Sequence, residues 1–79
     1  MPLYLDESLV NETYQVVDVS GLELPVERRL EALGLTEGTN ITVLNRKKRG
    51  AIIVKVRGTR FAIGQHIAAG IRIKKVAVT

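Results

Sequence analysis

His66 is the only histidine in a chain of 79 residues that contains no cysteine. Nucleophilic catalysis needs an activated group beside a base, and a third group to orient that base. The carboxylates stand at the other end of the sequence from the imidazole, so the spacing writes in no such trio. Divalent transition metals prefer imidazole, thiolate or carboxylate ligands in a set of defined geometry. One histidine without a thiolate builds no closed site within one chain. His66 therefore reads as a turn residue, at most an opportunistic divalent-metal ligand where copies of the chain could meet in a homo-oligomer. The expectation is a noncatalytic protein that requires no cofactor.

The cations are more informative. The net charge is +4, yet all eight Asp and Glu lie at or before Glu37, and every Lys and Arg except Arg28 and Arg29 follows Gly38. Such a split gives a dipolar surface if the fold keeps the halves apart, and a surface of one sign steers an oppositely charged partner. Arg46, Lys47, Lys48, Arg49, Arg57 and Arg60 form the basic set that would dock on an acidic domain. Arg28, Arg29 and Leu33 mark a second candidate surface on a helix. An arginine finger from Arg57 or Arg60 is a further reading, although nothing separates these two from neighbouring cations. Nucleic acid would use the same charge for phosphate contacts, but single-strand binders also need exposed aromatic platforms. Phe61 is the sole aromatic of the basic half, and strand pairing turns it inward. Tyr4, Tyr14 and Phe61 are too few to line a groove for proline-rich peptides.

Short elements position these residues. Val26, Leu30 and Leu33 recur at helical spacing after Pro25, which suits the first helical position. Gly34 falls where a helix needs a left-handed residue, and Leu35 then folds back on Leu30 in a Schellman ending. Thr36–Thr39 reads as a turn with Gly38 at its positive-φ corner. Strands are expected at about 13–19, 40–45, 52–57, 60–63 and from 71, with a phase slip at Lys74-Lys75 before Val76 and Val78. Arg46 to Gly50 makes a basic loop closed by glycine. Gly58-Thr59 makes a two-residue type II′ turn that closes on Arg57 and Arg60, pairing Val56 with Phe61 and Val54 with Ile63. Residues 64–70 form one helical turn.

The fold expected is mainly β: a small, partly open SH3-like barrel of about five strands, with one short α-helix after the first strand. Residues 1–79 make a single domain, with 13–76 as the barrel and 1–12 as a partly mobile extension lying against it. The acidic start lacks a basic, apolar leader, and no apolar run approaches the ~20 residues that span a bilayer, so a soluble protein is expected.

RLEALGLTEGTNITVL followed by GAIIVKVRGTRFAIGQHIAAGIRI resembles the FeoA family of ferrous iron transport proteins. Arg28, Leu30, Leu33, Gly34, Leu35, Gly38, Ile41, Gly58, Arg60, Ala68 and Ile71 carry the resemblance, from about Thr13 to Val76. Glu37 stands where family members often have proline, and the first 12 residues have no clear counterpart. The resemblance implies an SH3-like fold, a cytoplasmic location in a prokaryote, and partnership with FeoB, the membrane ferrous iron transporter with a GTPase domain. It also connects the chain with the carboxy-terminal domain of iron-dependent repressors. The alternative reading is an SH3-like module that acts with such a repressor or binds nucleic acid.

Overall fold

Alternating apolar and polar residues become strands wherever one face can be covered. The structure, a computed structural model describing residues 3–76, runs β1 (Leu3–Tyr4), a 3-10 turn (Leu5–Glu7), β2 (Thr13–Asp18), α1 (Leu24–Ala32), β3 (Asn40–Arg46), β4 (Ile52–Val56), β5 (Thr59–Ile63), α2 (Gln65–Ala68) and β6 (Arg72–Lys75). All strand pairs are antiparallel, in the order β1-β6-β2-β3-β4-β5. Register shifts between Val16 and Asp18 and between Val43 and Asn45 mark bulges, which bend and twist the sheet around its core. Tyr14, Val16, Ile41, Val43, Val54 and Ile73 fill the inner face with almost no exposure.

Six strands stand where about five were expected, and the additional one comes from the supposed extension. Leu3 pairs with Ile73 and Tyr4 with Arg72. The Leu5 N–H donates to the Ile71 carbonyl at 2.9 Å, and the Leu5 side chain is completely buried. Ser8 is also buried, its Oγ donating to the Leu5 carbonyl at 2.6 Å. The Leu9 N–H donates at 2.9 Å to the hydroxyl of buried Tyr14. Residues 3–9 thus add an edge strand and buried side chains to the sheet that begins, by its pattern, at Thr13. A two-residue strand is too short to display any period, which is why pattern reading passes over it.

Helix α1 begins one residue earlier than expected, with Glu23 as N-cap and Pro25 in the second helical position. Its ending is the one anticipated. Leu35 N–H donates to Leu30 carbonyl at 2.8 Å and Gly34 N–H to Glu31 carbonyl at 3.0 Å, the two bonds of a Schellman motif. Gly34 sits at φ +89°, a conformation that a side chain resists. Of the helix's apolar stripe only Leu30 is fully covered; Val26 is half-buried and Leu33 is 44% exposed. The Thr36–Thr39 turn closes with Thr39 N–H on the Thr36 carbonyl, and Gly38 has φ +86° as expected.

The β4–β5 hairpin is displaced by one residue from its expected turn. Val56 pairs with Thr59, Val54 with Phe61 and Ile52 with Ile63. The turn is therefore Arg57-Gly58, and φ values of +51° and +83° make it type I′ rather than II′. Moving each strand by one residue changes the pairing sum by an even number, so every apolar side chain keeps its face. Facial pattern alone could not tell the two registers apart. Lys74 and Lys75 pair regularly with Gln15 and Tyr14, so the expected slip falls instead on β2, at the bulge between Val16 and Asp18. Val78 lies outside the described residues.

Candidate functional site

The strand register arranges the cations on the outer face of the sheet. Thr13 stands opposite Thr42, Thr42 opposite Lys55 and Lys55 opposite Arg60, making one transverse row across four strands. Thr13 and Thr42 join their hydroxyls at 3.1 Å, while Lys55 and Arg60 are exposed like charges set directly across from one another. A second row runs Lys74, Gln15, Asn40. Arg57 sits beyond the end of β4 and turns back toward α1. A Cβ built on Gly34 would stand 3.4 Å from Arg57 Cδ, so the arginine stem lies against the helix's glycine ending. Arg57 also borders an open depression with Thr36, Gly38 and Asn40.

The six-residue basic set does not form one patch. Lys47–Gly50 is the tight turn between β3 and β4, with Gly50 N–H on the Lys47 carbonyl at 3.0 Å and Lys47 N–H on the Ala51 carbonyl at 2.8 Å. It lies at the opposite end of β4 from Arg57. Five residues of extended strand put the two groups about 17 Å apart. Lys47, Lys48 and Arg49 are exposed there. Arg46 belongs to neither group in practice. Its Nε donates to the Ser8 carbonyl at 3.0 Å and its Nη2 to the carbonyls of Ser8 at 2.5 Å and Asp6 at 2.6 Å. The guanidinium fastens the N-terminal segment to β3. No sequence signal separated Arg46 from its basic neighbours.

On α1, Arg29 joins Pro25, Val26 and Ile67 around a shallow groove of about 310 Å³ between the two helices. Leu33 is exposed one turn further along, and Arg28 points to solvent elsewhere on the helix. His66 is exposed on α2, and among the described residues no three His, Cys, Asp or Glu come together. Asp18 sits at the end of β2 beside Ser20. Its Oδ atoms accept the Ser20 N–H at 2.9 Å and the Ser20 hydroxyl at 2.8 Å; these bonds, with the Arg72 charge as a smaller contribution, hold its pKa below the usual value. Asp18, Tyr4, Ser20 and Arg72 border a polar depression of about 350 Å³ that sequence reading did not find. Tyr4 reaches it only because β1 pairs with β6, a contact no local pattern records.

These features define a small SH3-like β module whose described residues gather charge outside and aliphatic side chains inside. The FeoA domain model matches residues 3–75. A Helicobacter pylori (strain J99) relative that carries the provisional name Fe(2+) transport protein A is 26% identical over 74 residues, 92% of this chain and 95% of its own. The crystal structure of an iron uptake regulatory protein (FeoA) is 34% identical with a TM-score of 0.82, covering 96% of this chain and 99% of that one. The FeoA protein from Chlorobium tepidum is 30% identical with a TM-score of 0.87, covering 95% and 71%. The manganese-activated repressor ScaR shares the fold over 35% of its length, at 25% identity and a TM-score of 0.82, with 94% of this chain covered. The chain belongs to the FeoA family, and with it to the proteins associated with ferrous iron transport. No helix among the described residues is long and apolar enough to cross a membrane.

Proposed function

We propose that this protein is a noncatalytic accessory of ferrous iron uptake that works in the cytoplasm by docking on the soluble, GTPase-bearing part of an FeoB transporter. The family match along residues 3–75 carries the reading, since it accounts for nearly the whole chain by one domain. The exposed cations at both ends of β4 support it, because they suit an acidic docking surface. Charge sets the rate of encounter, and apolar contacts near Leu33 and the α1–α2 groove set the dwell time. On this reading no resident metal is required, and His66 is a weak divalent-ion ligand at most.

The test is surface-immobilised transporter soluble domain against the intact protein and two charge reversals. One reverses Lys47, Lys48 and Arg49 to glutamate, the other Arg57 and Arg60. The reading expects a slower on-rate and a flatter salt dependence for at least one of them. Absence of binding by the unaltered protein, or identical on-rates for all three, would reject it.

A further inference from the structure

Strand β5 ends the sheet on one side, with β4 as its sole neighbour in the strand order. In an antiparallel ladder, hydrogen-bonded and non-hydrogen-bonded pairs alternate. The two-residue turn makes Val56–Thr59 a bonded pair, so Val54–Phe61 and Ile52–Ile63 are bonded as well. Arg60 and Ala62 are then the residues whose N–H and C=O groups point away from β4. Both residues are exposed, and no other described backbone segment or side chain bonds to them. An edge of this kind accepts an added strand.

The charges select the occupant. Lys55 and Arg60 face each other as like charges, a destabilising cross-strand arrangement. A further strand beside β5 would place a side chain directly opposite Arg60, extending the Thr13-Thr42-Lys55-Arg60 row. A second copy of β5 would bring another arginine to the same edge, whereas a carboxylate there would neutralise the row. We propose that the β5 edge binds an extended acidic peptide segment as a seventh strand, held by the backbone of Arg60 and Ala62 and selected by Lys55 and Arg60. The inference stands apart from the identity of any transporter partner.

The probe is a short peptide alternating glutamate with valine and threonine, added to the full-length protein at low salt. Amide exchange at Arg60 and Ala62 should slow at least tenfold, while the Lys47–Gly50 turn stays unchanged. Methylating alternate peptide nitrogens along one edge should abolish binding. Ala62→Pro should do the same, since it removes an outward N–H that β4 does not use. Unchanged exchange at Arg60 and Ala62 would overturn the proposal, as would undiminished binding of both N-methylated forms of the peptide, one for each edge. Equal binding of a lysine-for-glutamate peptide, preferential binding of a single-stranded oligonucleotide at the same amides, or slowing with protein concentration alone would each overturn it too.

Discussion

Replacing Arg46 by alanine separates a fastening role from a docking role. The guanidinium makes hydrogen bonds to two backbone carbonyls, those of Asp6 and Ser8, from a strand 38 or more residues away in sequence. Water can replace it at Asp6, which is half-buried, but less readily at Ser8, which is 1% exposed. Hydrogen bonds to a charged group contribute about 1.5–3 kcal/mol, and partial solvent replacement brings the expected loss to about 2 kcal/mol. That corresponds to a change of up to roughly thirtyfold in an opening equilibrium. The Leu5 amide, bonded to Ile71, and the Leu9 amide, bonded to the Tyr14 hydroxyl, report the segment directly. Native-state hydrogen exchange should show both accelerating, ahead of amides in the β3–β4 ladder. Arg46→Lys should fall between, because an ammonium lacks the planar fork that reaches both carbonyls. Unchanged exchange at Leu5 and Leu9 in Arg46→Ala would refute the fastening role, and a simultaneous loss of partner binding would return Arg46 to the docking surface.

Leu35→Ala removes a completely buried side chain at the Schellman ending and should cost about 2–5 kcal/mol in a urea titration. A loss below 1 kcal/mol would mean the helix ending is not anchored by that contact. Arg57→Asn should raise the thermal midpoint by a few degrees, since asparagine accepts the left-handed first position of a type I′ turn and arginine resists it. A lower midpoint would show that the arginine's contact with the end of α1 outweighs the turn strain. Asp18, whose folded-state pKa is lowered, adds stability that is present above the unfolded carboxylate pKa and lost as pH falls below about 4. Asp18→Asn should flatten the stability profile in that acidic window, and an unaltered profile would deny the Ser20 bonds any such role.

The parts legible in the sequence are those encoded by neighbours. Leu30, Gly34 and Leu35 specify the helix ending within six positions, and Ile52, Val54 and Val56 specify which face of β4 is covered. Phe61 goes to that same face in both hairpin registers, so its half-burial was readable while the turn was not. Arg57 supplied no warning that it occupies a glycine-like conformation. The grouping of cations failed for a different reason. Arg46 to Arg49 and Arg57 to Arg60 are close in sequence, but an intervening straight strand carries them to opposite ends of the sheet. Likewise, Leu5 and Ile71 meet through pairing between the first and last strands, a long-range outcome that local periodicity cannot contain.

The Arg57-Gly58 turn has a consequence for how this chain could vary in length. Adding or deleting an even number of residues at the tip would leave inside and outside of the hairpin unchanged, because each strand moves by a whole step. A single insertion that kept a two-residue turn would instead invert one arm, sending Phe61 and Ile63 into water and Arg60 into the aliphatic interior, so an odd change has to be absorbed by a longer loop with a left-handed bulge residue. Length changes at this corner should therefore either come in pairs or bring a new turn type with them, and selection for folding alone would suffice to enforce that choice.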